Sequence, residues 1–437
     1  MSHLTWGGVD CVELARTLET PLYVLDEGII RERCAEIRSD FMSRWAGTWA
    51  CYASKAFLTT SMAWIMDQEG LGLDVVSGGE LYTALRAGFP PYRTNLHGNV
   101  KSERELHLAL TSGVGHIIVD SLMELELLDG LAGEARRPSD RRGRPRILLR
   151  VAPGVDPHTH SYLVTGQAGS KFGLPLEGGP DGTSLLTEAV RFAMSSKSIA
   201  LAGFHFHIGS QIFENGAFVE AVRRVAACME RLNKELGFKT RTLNVGGGFG
   251  VPASPDEPHL PLRLFTDAMM SVLTEECEAR GLTRPYVTIE PGRWLVSRAG
   301  ITLYTVETIK RLSDVTYVGV DGGMADNPRP ALYQAQYHAV LANKIGEPPA
   351  EKVVIAGRCC ETGDILVESA ELPTVERGDI LAIFNTGAYN FSMASGYNRL
   401  LRPAVALAHN GWADLIVTRQ TYEDLLIGDV IPERLLT

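Results

Sequence analysis

One lysine closes an otherwise uncharged run, Trp49-Ala50-Cys51-Tyr52-Ala53-Ser54-Lys55-Ala56-Phe57. The run reads as a buried strand, and burial opposes an ammonium charge and pulls its pKa down. A neutral amine there suits Schiff-base chemistry with a carbonyl. A lysine snorkelling out of the strand end is the alternative reading. Similar polar groups follow other apolar runs: Asp74 before Ser77-Gly78-Gly79-Glu80, then His97-Gly98-Asn99, Asp120, and Arg150. Further on stand His205-Phe206-His207 with Ser210, Asn244-Val245-Gly246-Gly247-Gly248, and Glu290-Pro291-Gly292-Arg293.

The three consecutive glycines are the sharpest of these signals. Without a Cβ, their backbone N–H groups can close around an anion, which suits Gly247 and Gly248 with Ser210 to a phosphate. His205 and His207 alternate along a strand and share a face. They read as two metal ligands, with Asp74, His97 or Asp120 recruited to complete the set, or as one imidazole laid flat on a ring cofactor beside a core histidine, His205. Glu290 suits the nitrogen of a pyridine ring, which a carboxylate keeps protonated and electron-withdrawing, or serves as a partner for Arg293. An amine, a phosphate loop and a ring-facing carboxylate together describe a site for pyridoxal 5'-phosphate with no metal.

Those residues need a scaffold that gathers strand ends. Short apolar runs at 48–54, 72–76, 94–97, 116–119, 146–151, 200–206, 241–245 and 286–290 alternate with helical patterns such as Phe218 to Leu232. That alternation predicts a (β/α)8 TIM barrel, whose active site lies at the carboxyl ends of its strands and whose phosphate site follows strands seven and eight. Beyond about residue 295 helices become scarce, and apolar segments at 301–308, 316–320, 352–356, 378–384 and 403–408 are broken by Gly, Pro and Asp. The reading is an α/β barrel over 30–293, and a β-sandwich or small β-barrel domain from 294–437 with 1–29, whose strand 21–25 could return to join it. The length of 437 residues suits two domains. A net charge of −10 argues against nucleic acid and anionic membrane as partners. The basic run 136–146 holds Pro, Gly and Ser without aromatics and reads as a solvated loop. The seven scattered cysteines fit free thiols in a reducing cytoplasm, and neither a signal sequence nor a membrane-spanning run is expected. The Gly-containing segment 156–182 is long enough to close as a lid.

In order along the chain, Tyr52–Ala56, Leu73–Leu81, His97–Asn99, Ser170–Gly173, His207–Gln211, Gly246–Gly250, Glu290–Arg293, Asp321–Met324, Arg329–Tyr333, Cys360–Asp364 and Gly387–Tyr389 are motifs of one family. Over nearly its whole length the chain resembles the fold type III pyridoxal-phosphate-dependent decarboxylases, whose barrel is alanine-racemase-like. The match is to the branch that makes L-lysine and CO2 from meso-2,6-diaminopimelate, the last step of lysine biosynthesis. The resemblance implies that Lys55 forms the Schiff base, His207 stacks on the ring, Glu290 pairs with its nitrogen, and Asp74 belongs to the cofactor site. It assigns the phosphate to Ser210, Gly247, Gly248 and Tyr389. It gives the substrate's distal carboxylate to Arg293, Arg329 and Tyr333, and the distal amine to Glu361. Arg293 and Tyr389 border both cofactor and substrate. Cys360 is implied to enter the site from a neighbouring subunit, hence a homodimer with shared active sites. Thr362 stands where Ser is commoner, and Pro328 precedes the Arg329 motif. Neighbouring chemistries are expected to differ at these residues: a racemase would set Arg against the pyridine nitrogen, and the substrates of ornithine, arginine or carboxynorspermidine decarboxylases carry no second carboxylate of this kind, or carry it differently. A non-enzymatic single-barrel carrier would lack the motifs at 329–333, 360–364 and 387–389.

Overall fold

The computed structural model describes residues 3–134, 143–156, 170–178, 184–254 and 256–436. Most of the basic run 136–146 and of the segment 156–182, including His158 and His160, lies outside them.

Eight strands carry the first unit: β1 Thr48–Ala53, β2 Gly72–Val75, β3 Thr94–Leu96, β4 His116–Val119, β5 Arg146–Ala152, β6 Ala200–His205, β7 Thr242–Asn244 and β8 Tyr286–Ile289. Each pairs in parallel with the next, and β8 returns to β1 through Ile289 opposite Ala50, so the sheet closes on itself. The runs are apolar on both faces because the inner face fills the barrel and the outer face meets helices. Leu73, Val75, Leu96, Val119, Ile147 and Ile289 are fully buried. A two-residue strand, Leu174–Pro175, adds to β5.

Local chemistry sets where the connecting helices begin and end. Helix Gly216–Leu236 buries Phe218, Ala221, Val222, Val225, Met229 and Leu232, the spacing of one helical face, and stops where Gly237 turns left-handed. Helix Glu103–Ser112 opens on a capping box between Ser102 and Glu105; losing such a cap costs about 1 kcal/mol. Ser77 caps helix Gly78–Arg86, so the end of β2 feeds directly into a fixed helix start.

The second unit gathers residues 1–30, 252–258 and 296–437; the barrel unit comprises 31–251 and 259–295. Its longest strand, β9 (Gly300–Arg311), pairs antiparallel with Leu22–Asp26, Ile380–Ile383 and Thr316–Val320. The strand order is 365–372, 351–356, 316–320, β9, 22–26, 404–409, 412–417, with 380–383 and 339–341 branching from β9. Two cores share that strand. Ile301 and Leu303 pack with Leu22, Val24 and Ala406, while Tyr304 and Val306 on its other face pack with Val318, Val353 and Leu381. Segment 252–258 is tied into this unit by Arg298, which donates to the Glu257 carbonyl at 2.8 Å, and by Asn385, which donates to the Ala253 carbonyl at 2.6 Å.

The eight barrel strands fall where the apolar runs predict them, within one or two residues at each end. Helix Cys11–Leu18, opened by Asp10 accepting from the Val12 and Glu13 N–H groups, was not anticipated. The helix from Glu27 stays regular to Ile37 and widens into a π turn over Arg38–Met42. No helix among the described residues is long and apolar enough to cross a membrane.

Candidate active site

At the carboxyl end of the barrel the decisive feature is a buried set of charges around Glu290. Asn244, at the end of β7, donates from Nδ2 to Glu290 Oε1 at 2.5 Å. His97 Nε2, just beyond β3, lies 2.8 Å from the same oxygen, and His205 Nε2, at the end of β6, lies 3.3 Å from Oε2. Burial alone would raise the carboxyl pKa; the pull of His97 and His205, with their hydrogen bonds, outweighs it and holds Glu290 well below the usual range. Burial drives His205 down to about 3, so at neutral pH it is an uncharged donor to Glu290.

Asp74, at the end of β2, behaves oppositely. Burial first, and then the charge of Glu290, raise its carboxyl to about 7 against the opposing pull of His97 and Lys55. His97 Nε2 stands 3.5 Å from Asp74 Oδ1, an oxygen with no hydrogen-bond partner among the described residues. One carboxylate of the pair is therefore fixed as an anion and its neighbour is poised near neutrality.

Lys55 sits in the short turn Ser54–Ala56 directly after β1, half-buried. Its charge is felt at Asp74 and at His207. His207 is fixed from behind by the Gly247 N–H, which donates to Nδ1 at 3.3 Å. That bond places any imidazole proton on Nε2, and desolvation, then the charges of Lys55 and Arg150, lower the His207 pKa well below its ordinary value. The histidine pair thus parts company: His205 serves Glu290, and His207 serves the glycine loop.

That loop tolerates no side chain. A Cβ on Gly247 would lie 2.1 Å from the Glu290 carbonyl oxygen, and one on Gly248, at φ +102, 2.0 Å from the Gly209 carbonyl oxygen. The Gly246 N–H donates to Asn244 Oδ1 at 3.0 Å, so one amide aligns both the loop and Glu290. Arg293 opens the short helix Arg293–Val296 just past Glu290. Asp120 accepts from the Gly173 N–H at 3.0 Å and stands 3.7 Å from Arg150, whose guanidinium lies 4.2 Å over the Phe172 ring. Those contacts belong to the Ser170–Gly173 motif rather than to a metal set.

The second unit holds its own cluster. Arg329, at the start of helix Arg329–Tyr333, is buried with its guanidinium 5.0 Å over the Tyr333 ring and 5.7 Å over the Tyr389 ring. Its Nε has no hydrogen-bond partner, and no carboxylate pairs with it, among the described residues. A buried cation left so calls for an anion from outside. Tyr389 is held at φ +62, a left-handed conformation unusual for a bulky residue. Cys360 and Glu361 lie on an exposed turn after strand Glu351–Ala356. All seven cysteines are free thiols, and only Cys360 is exposed.

The sequence reading gave no role to Asn244 and treated His97 only as a possible metal ligand. The available signal was positional, since both stand at the ends of strands beside the one carrying Glu290 or facing it. His97, His205 and Glu290 offer ligand atoms within 4.8 Å of one another, a spacing a metal could also use. The amine, the tethered imidazole, the buried anion and the Cβ-intolerant loop fit pyridoxal phosphate as a set.

The comparisons agree with that fit. Residues 27–297 match the family described as "Pyridoxal-dependent decarboxylase, pyridoxal binding domain". The chain is 46% identical over 429 residues to a diaminopimelate decarboxylase of Bacillus subtilis, covering 98% of this chain and 95% of that one. It is 40% identical to a protein of the same name from Mycobacterium tuberculosis over 435 residues, 97% and 94% of the two chains. Among solved structures it resembles diaminopimelate decarboxylase from M. jannaschii in co-complex with L-lysine, with a TM-score of 0.88, 32% identity and 99% of each chain covered.

Proposed function

This chain belongs to the diaminopimelate decarboxylase family of pyridoxal-dependent decarboxylases, and on that premise we propose that it converts meso-2,6-diaminopimelate to L-lysine and CO2. Pyridoxal phosphate, when bound, supplies a carbonyl that takes up amines and a ring that withdraws the electron pair left on carbon as CO2 departs. Lys55 would hold the carbonyl, His207 the ring face, Glu290 the ring nitrogen, and Ser210, Gly247, Gly248 and Tyr389 the phosphate, with Asp74 and Arg293 beside them. The observation that carries the reading is Glu290, fixed as an anion by Asn244, His97 and His205 in the same barrel as Lys55. A decarboxylase needs that anion, and a racemase avoids it.

The substrate's far end selects among decarboxylases. Arg329 and Arg293, with Tyr333, bind the distal carboxylate; bidentate guanidinium pairing suits it. Glu361 binds the distal ammonium. Cys360 acts beside the carbon that exchanges CO2 for a proton, and reaches it from the neighbouring subunit of a homodimer with shared sites. The cytoplasm is the compartment that suits the free thiols.

The test is CO2 release from meso-diaminopimelate, run beside ornithine, arginine and lysine, with pyridoxal phosphate supplied. Release from diaminopimelate alone is expected. Release from a basic amino acid instead would remove the distal-clamp assignment of Arg293 and Arg329 while leaving Lys55 and Glu290 in place.

A further inference from the structure

Unusual backbone gathers at one place in the second unit. Asn398 and Arg399 are consecutive left-handed residues, at φ +51 and φ +53, and neither is glycine. Asn and Asp tolerate that region and Arg does not favour it, so such a pair persists only where its surroundings hold it. Three residues in a row there make outward contacts. Asn398 Oδ1 accepts the Cys360 N–H at 2.7 Å. The Tyr397 hydroxyl lies 3.4 Å from both the Cys360 carbonyl oxygen and Glu361 Oε2. Desolvation first, and the Glu361 charge next, raise the Tyr397 phenol, which keeps it a donor. Arg399 donates to the Leu425 carbonyl at 2.9 Å and the Asp429 carboxylate at 3.1 Å, tying the loop to helix Tyr422–Leu426 and the segment after it. On the opposite flank Asp364 accepts from the N–H groups of Cys359, at 2.7 Å, and Met324, at 2.6 Å.

We infer that residues 397–399 form a clasp that sets the position of Cys360 and Glu361, with Asn398 the positioning residue. The inference rests on the reaction roles proposed above for those two groups. On its own chain the turn that carries them is exposed, so packing within the subunit does not fix it, and the clasp holds it by hydrogen bonds instead. Asn398 meets both demands of its place, a side chain that accepts at short range and a backbone that turns left-handed.

The two demands separate by substitution in the holoenzyme. Asn398→Gly keeps the backbone and drops the acceptor, while Asn398→Asp keeps both. Because the other six cysteines are buried, alkylation by iodoacetamide reports on Cys360. Asn398→Gly is expected to alkylate several-fold faster and to lose about tenfold in kcat, the worth of one ordinary hydrogen bond, with the cofactor absorbance unchanged. Asn398→Asp is expected to restore both readouts. Wild-type alkylation and kcat in Asn398→Gly, or an equal loss in Asn398→Asp, would overturn the clasp. Should the glycine variant fold poorly, Tyr397→Phe removes only a hydroxyl and is expected to raise KM for diaminopimelate with kcat little changed; an unaltered KM would count against the clasp. Cys360→Ala and Glu361→Gln run alongside. If both turn over like wild type while Asn398→Gly still alkylates faster, the reaction roles fail and the clasp stands.

Discussion

Glu290 and Cys360 are held in place by opposite means. Glu290 lies in the barrel with each oxygen met by a neighbouring strand end. Its charge state follows from burial and from the histidines beside it. Cys360 and Glu361 are exposed on their own chain, on a turn whose fixed points are a side-chain amide, a tyrosine hydroxyl and a strained backbone. Burial opposes a charge, and at Glu290 the buried histidines and their hydrogen bonds overcome that opposition and hold the anion. An exposed turn can be aimed by a few bonds.

The contrast can be broken or sharpened by measurement. The largest effect is expected at the amine itself: Lys55→Ala should abolish both the absorbance of the covalently held cofactor and CO2 release, and an intact spectrum would remove Lys55 from its role. Glu290→Gln keeps the shape of the buried set and removes its charge. A loss in kcat on the order of 10²–10³ is expected, by analogy with removing one electrostatic stabiliser from a closed site; a loss below tenfold would mean that the anion is not what the barrel site needs.

Asp74 gives a pH signature. In the folded chain it keeps its proton to about pH 7, against 3.8 for the ordinary group. Its stabilising contribution is therefore whole below the unfolded value and is lost as pH rises through about 7. Asn cannot ionise, so the stability difference between Asp74→Asn and wild type should move in favour of the variant between pH 5 and pH 8, read from urea midpoints. Glu290 has the opposite sign, since its contribution is present above its unfolded value and is lost as pH falls. A flat difference across that window would show Asp74 ionised throughout. The smallest effect belongs to the exposed turn. KM for diaminopimelate should rise few-fold with added salt, in keeping with a screened surface charge, and less steeply in Glu361→Gln, while the cofactor spectrum stays constant.

How much of this was legible in the sequence follows the same division. The barrel strands could be read because both faces are buried, which leaves uninterrupted apolar runs, and because the residues after each run are polar. Strand Ile365–Leu372 was missed because Glu368 and Glu371 face solvent and break its pattern. Strand Trp412–Val417 is exposed through much of its length and carries little periodicity. Lys55 and Glu290 stood out as single charges at the ends of apolar runs. His97 did not, because its meaning depends on a carboxylate far along the chain that closure of the barrel brings to 2.8 Å. Asn398 was invisible for a related reason: a left-handed asparagine looks like any loop residue until its amide is seen against Cys360.

The strand Leu22–Asp26 has a consequence for how the chain is made. It joins β9 on one edge and strand Ala404–His409 on the other, so it emerges before the barrel and both of its partners emerge after it. At roughly 5–20 residues per second, the wait on the ribosome is on the order of half a minute. Through that time Leu22, Tyr23, Val24 and Leu25, all buried in the finished fold, present an open edge while the barrel strands are completed behind them. Such an edge is a template for mispairing with another nascent chain. A polypeptide interrupted between the end of β8 and residue 404 would carry every barrel strand and still display an adhesive edge on Leu22–Asp26. Synthesis to the last strands is what makes the product safe to release.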